Sequence, residues 1–89
     1  MAKLIVHQKV QEYSTFRKVY DDHDSTRREF GCINAQVFQS PSDANEITII
    51  TDWHSMEAAK AFATSPALKD SMKSAGAISQ PEILFLVEA

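Results

Sequence analysis

At 89 residues the chain is one small domain, and a chain this short buries only about 60–65% of its unfolded surface, so it gains from a partner. Its apolar fraction, 44%, argues against disorder, and its net charge of −3, with acids and bases interspersed, lacks the basic stripe that nucleic acid or an anionic membrane would need. The single cysteine, Cys32, excludes an intrachain disulfide, fits a reducing compartment, and reads first as a small buried hydrophobe.

The first strand is expected over Lys3 to Val10, KLIVHQKV, with Leu4, Val6, Gln8 and Val10 on one side and Ile5, His7 and Lys9 on the other. A helix follows from about Tyr13 to about Phe30, started by Glu12 or Ser14 over its free amides. Phe16, Val19, Tyr20, His23, Arg27 and Phe30 fall on one stripe, which should face the sheet. Asp21 to Thr26, DDHDST, is a poor helix interior because short polar side chains compete for backbone hydrogen bonds. The helix is open to a break there, with a restart capped by Asp24 or Ser25, and the phase of Arg27 depends on it. Gly31 ends the element.

Cys32 to Gln39 alternates as a second strand, Ile33, Ala35 and Val37 against Cys32, Asn34, Gln36 and Phe38. Ser40 to Asn45 reads as a turn, and Glu46 to Trp53 as the third strand of a hairpin. Ser55 caps the next helix, with Ala59 and Phe62 on its inner face. Ser65-Pro66 restarts it, Leu68, Met72 and Ala75 continue its stripe, and Gly76 stops it. Ile83 to Val87 is the fourth strand, after a loop carrying Pro81.

The order β-α-β-β-α-β implies an α+β, ferredoxin-like domain over residues 1–89, with both helices on one face of a four-stranded antiparallel sheet. The last strand is apolar on both sides, and the first and third carry Ile5 and Ile50 opposite their inner residues. The second sheet face needs a cover, so a homodimer packed sheet to sheet is expected. No apolar run is long enough to span a membrane, and the N-terminus lacks the form of a signal peptide. A complete, cytoplasmic chain is the expectation.

The sequence resembles the dimeric α+β barrel superfamily, which includes the antibiotic-biosynthesis monooxygenase-like proteins, and within it a branch of short, cyclase-like proteins. The resemblance covers nearly the whole chain. It is carried by Val10-Gln11-Glu12-Tyr13, Phe16, Tyr20-Asp21-Asp22-His23 and Arg28 to Gly31 in the first half. In the second half it is carried by Asp43 to Glu46, Trp53, Ala59 to Phe62, Ser65 to Leu68, Met72, Ala75-Gly76 and Pro81-Glu82. Glu12, Phe16 and Tyr20 stand where the branch has Asp, Trp and Phe. The resemblance implies a pocket between sheet and helices, and chemistry ranging over cofactor-free oxygenation, cyclisation, isomerisation and dehydration. Met72 stands where haem-degrading relatives carry a His, which disfavours that chemistry.

His23 is the candidate catalytic acid or base, because its stripe position puts an imidazole at the pocket wall. The candidate pocket comprises Gln8, Phe16, Tyr20, Trp53, Phe62, Leu68 and Met72, with Tyr20, Gln8 and Trp53 orienting a ligand. Core packing is the competing reading for each aromatic and for Met72. Asn34 is a weaker candidate, His7 belongs to the opposite sheet face, and His54 sits in a turn. A Cys32–His dyad has no supporting local motif. There is no pair of His at i, i+4 and no Gly-rich loop, so neither metal nor cofactor is expected. The expected partners are a second copy and a small apolar or aromatic ligand. The expected function is a cofactor-independent monooxygenase or cyclase-like enzyme acting on an aromatic or polyketide-like metabolite. The alternative is a non-catalytic homodimeric binding or accessory module whose pocket is filled by its own side chains.

Overall fold

A computed structural model describes residues 2–74, 76–78 and 81–89. Ala75, which would extend the last helical stripe, and Ser79 and Gln80 of the loop before the fourth strand lie outside the described residues. The elements run β1 (Ala2–Lys9), α1 (Tyr13–Asp22), α2 (Asp24–Phe30), β2 (Cys32–Ser40), β3 (Asp43–Trp53), α3 (Met56–Ala63), α4 (Pro66–Ser74) and β4 (Glu82–Val87). The sheet order is β2-β3-β1-β4, and every neighbouring pair is antiparallel. This is the ferredoxin-like α+β arrangement with each helical segment divided in two.

The division of the first helix follows from its sequence. DDHDST offers side chains that compete with the helical ladder, and α1 stops at Asp22. α2 restarts one residue later, and the residue between them is His23, not Asp24 or Ser25. No side chain caps the restart; Asp24 is instead the first helical residue, where its charge favours the helix N-terminus. Gly31 closes α2 at φ +110°, and a Cβ there would lie 3.3 Å from the Ala58 Cβ, so the position favours glycine on both counts. In the second helical segment Ser55 accepts from the Ala58 amide, as its cap position requires. The Ser65 hydroxyl joins α3 to α4: it donates to the Phe62 carbonyl at 2.7 Å and accepts from the Leu68 amide.

The start of α1 departs from the sequence expectation. Glu12 is the N-cap but its side chain caps nothing, and the Ser14 hydroxyl donates to the Glu12 carboxylate. The Tyr13 amide is instead satisfied from β3, donating to Asn45 Oδ1 at 2.9 Å, while Asn45 Nδ2 donates to the Gln11 carbonyl. The Asn45 carbonyl also accepts from the Val10 amide at 2.8 Å. One amide side chain therefore ties the exit of β1 and the start of α1 to the hairpin. Its own position is fixed by Asp43, whose carboxylate accepts from the Asn45 amide and is held below its ordinary pKa chiefly by that bond.

The hairpin turn is tighter than expected. Only Pro41 and Ser42 lie outside the strands, because Ser40 and Asp43 pair directly. In β2 the register shifts between Cys32 and Asn34, so Ile33 is an extra residue at a bulge. Cys32 thus joins Ala35 and Val37 on the helix side, not Asn34, Gln36 and Phe38 as simple alternation implies. The inner face carries Leu4, Val6, Gln8, Ile47, Ile49, Thr51 and Trp53, all buried. The opposite face carries Ile5, Ile50, Leu84, Leu86 and Phe38. Leu84, Leu86 and Phe38 are exposed there.

Asn45→Ala removes the acceptor for the Tyr13 amide and the donor to the Gln11 carbonyl. It should cost about 1 kcal/mol or more, read in thermal melts as a fall of roughly 4–8 °C in Tm. Ser14→Ala should change Tm little; an equal loss from Ser14→Ala would show that the helix start is capped locally.

Candidate functional site

One cleft opens between the inner sheet face and the helices. Its floor is Leu4, Val6 and Gln8 of β1 with Ile49 and Thr51 of β3. Its walls are Phe16 and Tyr20 of α1, Thr26 and Arg27 of α2, Phe62 of α3, and Ala67, Leu68, Ser71 and Met72 of α4, with His23 between α1 and α2. Its cavity volume is small, about 50 Å³. The lining is overwhelmingly apolar with a few polar groups, as small-molecule sites are.

Six of the seven expected pocket residues meet here: Gln8, Phe16, Tyr20, Phe62, Leu68 and Met72. His23 joins them. Trp53 does not. It is fully buried in the core, its Nε1 donates to Thr51 Oγ1 at 2.7 Å, and its ring packs 5.1 Å from that of Phe62. Thr51 in turn donates to the Leu4 carbonyl at 2.9 Å. Trp53 therefore stands behind two lining residues, Phe62 and Thr51. Asn34 and His54 are exposed, and His7 lies on the far sheet face, where its Nε2 is 3.6 Å from the Glu46 carboxylate. Cys32 is a core residue. Its thiol donates to the Asn34 carbonyl, and burial pushes its pKa up, which keeps it a thiol rather than a nucleophilic thiolate.

The end of α1 sets the geometry of the polar groups. The His23 ring places Nδ1 2.8 Å from the Val19 carbonyl. A carbonyl only accepts, so Nδ1 carries the proton and, in the neutral ring, Nε2 carries the lone pair. Arg27, one turn further on, donates from Nη1 to the Tyr20 carbonyl at 2.8 Å. Its guanidinium lies 3.7 Å from the centre of the Tyr20 ring, and that ring stacks on Phe16 at 5.5 Å. Phe16, Tyr20 and Arg27 thus form one stack along the helical wall. Burial raises the Tyr20 pKa, with the Arg27 charge pulling the other way, so the phenol stays protonated at neutral pH.

Three buried polar atoms have no protein hydrogen-bond partner among the described residues: Gln8 Oε1, Tyr20 OH and Arg27 Nε. All three belong to residues lining this cleft. They come from β1, α1 and α2, three elements that meet only in the folded domain. Arg27 was legible in sequence only as a cation on an apolar stripe, and its phase waited on the break at His23. Thr26, Thr51 and Ser71 gave no sequence signal. No group of three or more His, Cys, Asp or Glu able to hold a metal ion occurs among the described residues. No described helix is long and apolar enough to cross a membrane.

Comparison with known proteins agrees with this architecture. No curated protein sequence matches the chain. Among solved structures, SnoaB, a cofactor-independent oxygenase from Streptomyces nogalater, is similar with a TM-score of 0.80 at 12% identity, over 99% of this chain and 92% of that one. A conserved protein from Methanosarcina mazei Go1 is similar at 0.77 and 17% identity, over 99% and 92% of the two chains. A crystal structure described as an antibiotic biosynthesis monooxygenase is similar at 0.77 and 13% identity, over 100% and 99%. At these identities the likeness concerns the fold. The family assignment rests on sequence, because the model of the antibiotic biosynthesis monooxygenase family matches residues 6–74. With that match spanning both helical segments and most of the cleft, the chain belongs to the antibiotic biosynthesis monooxygenase family.

Proposed function

We propose that this protein binds a small aromatic or polyketide-like metabolite between sheet and helices and carries out a cofactor-independent oxygenation or cyclisation on it, with His23 as acid and base. The observation that carries the reading is the set of three buried, unpartnered polar atoms, Gln8 Oε1, Tyr20 OH and Arg27 Nε, on residues that line an apolar cleft. A core filled only by its own side chains leaves such groups paired or absent, because a buried polar atom without a hydrogen bond is costly. A ligand with matching polar groups removes that cost. The family, and a structural relative described as a cofactor-independent oxygenase, support the reaction class.

In this reading the apolar walls exclude water and grip the ring. His23 Nδ1 remains bonded to the Val19 carbonyl, and Nε2 takes a proton from a phenol or an activated C–H of the ligand. The enolate or phenolate so formed is the electron-rich species that meets dioxygen, or that closes a ring onto a carbonyl. Tyr20, whose burial keeps its phenol protonated, is a hydrogen-bond donor that orients the ligand. Trp53 acts from behind, through Phe62 and Thr51.

The reading includes a homodimer packed through the open sheet face. Ile5, Phe38, Ile50, Leu84 and Leu86 share that face, and Leu84 and Phe38 are 56% and 48% exposed. That is a contiguous apolar surface of the kind a self-complementary interface covers.

Two experiments test these statements. His23→Asn keeps a donor for the Val19 carbonyl and loses the base. Oxygen uptake or product formation on a panel of hydroxynaphthalenes and hydroxyanthracenes should fall by about 10²-fold or more, with the melting profile nearly unchanged; full activity removes His23 from the mechanism. Light scattering at micromolar concentration should give the mass of a dimer, and Leu84→Lys should shift it toward the monomer. A monomeric wild-type chain contradicts the sheet-to-sheet assembly.

A further inference from the structure

Arg27 is 5% exposed, and a guanidinium is charged at any accessible pH. Buried charges are normally paired. The pairing here is incomplete. Nη1 bonds a neutral carbonyl, that of Tyr20, and Nε has no partner. The acidic neighbour among the described residues is Asp24, whose Oδ1 lies 3.6 Å from Nη2, beyond hydrogen-bond length. The same carboxylate is held at 2.9 Å by Arg28 and is half exposed to water. Arg27 is therefore a desolvated cation that shares a distant, solvated counter-ion with a closer competitor, at the wall of an apolar cleft.

From this we infer that the ligand is an anion: an aromatic or polyketide-like acid, ionised before it binds, whose carboxylate or equivalent acidic group meets Arg27 Nε and the Tyr20 hydroxyl. The inference rests on the small-molecule reading of the cleft and narrows its substrate class. An ionised oxygen gives Arg27 the charge-assisted bond it lacks and accepts a hydrogen bond from the Tyr20 hydroxyl, so one group satisfies two of the three unpartnered atoms. Gln8, on the sheet floor, is left to hydrogen-bond a second polar group of the same molecule. Arg27 is then a binding residue that selects ligand charge, separate from proton transfer at His23.

The test uses matched probes that differ in charge and little in shape: benzoate against benzamide, and 2-naphthoate against 2-naphthamide. Binding is followed by calorimetry or NMR titration on the full chain. Wild type should bind each acid about tenfold or more tighter than its amide, the size of one gained charge-assisted hydrogen bond. Arg27→Met should abolish that preference while still binding the amides. Arg27→Lys should keep part of it, as a point charge without the planar fork. Equal binding of acid and amide to wild type overturns the anion assignment and leaves the small-molecule reading standing. A preference that survives in Arg27→Met overturns the role of Arg27. Absence of binding by all four probes at millimolar concentration overturns both. If Arg27→Met fails to fold, the acid–amide comparison in wild type, together with Arg27→Lys, still decides.

Discussion

The structure depends on how one helix ends. α1 stops at Asp22, and the His23 backbone amide bonds the carbonyls of Val19 and Tyr20 in its last turn. Two side chains reach the same carbonyls as well: His23 Nδ1 meets that of Val19 and Arg27 Nη1 meets that of Tyr20. Both residues line the cleft. The same two bonds that finish α1 therefore fix the His23 tautomer and hold the guanidinium over the Tyr20 ring. Helix termination and site construction meet here, because both cleft side chains bond carbonyls of the last turn of α1.

Much of this was readable in the chain. The strand alternation, the glycine stops at Gly31 and Gly76, the Ser55 and Ser65 caps and the stripe through Phe16, Tyr20, His23 and Arg27 are local patterns, and local patterns survive folding. What was not readable came from contacts between distant elements. The α1 amide is satisfied by Asn45, 32 residues away, so no inspection of Glu12 or Ser14 finds it. The bulge at Ile33 changes the facing of Cys32, and alternation alone does not announce a bulge. Trp53, placed in the pocket by its position at a strand end, is drawn into the core by its bond to Thr51. The importance of Arg27 emerged only once the break at His23 settled its phase and its missing partner was known.

The sheet divides the molecule into two faces with different needs. The inner face carries large apolar side chains together with Gln8 and Thr51. Thr51 is fully engaged by Trp53 and Leu4, whereas the Gln8 carbonyl oxygen is not. The outer face pairs Lys3 with Asp52 and sets His7 beside Glu46 around an apolar centre that includes Ile5 and Ile50. Stability of so small a domain comes from covering both faces, the inner with helices and the outer, in the account proposed here, with a second copy. On the inner side the helical segments are split at His23 and at Thr64-Ser65, so that each packs as two short rods.

The central claim is that Gln8 Oε1, Tyr20 OH and Arg27 Nε are left unpaired by the protein in order to meet a ligand. A high-resolution crystal structure of the purified protein tests it most directly. The account predicts an open cleft in which these three atoms contact ordered water or a bound small molecule. A closed, dry core in which they bond to one another or to other protein groups would contradict it.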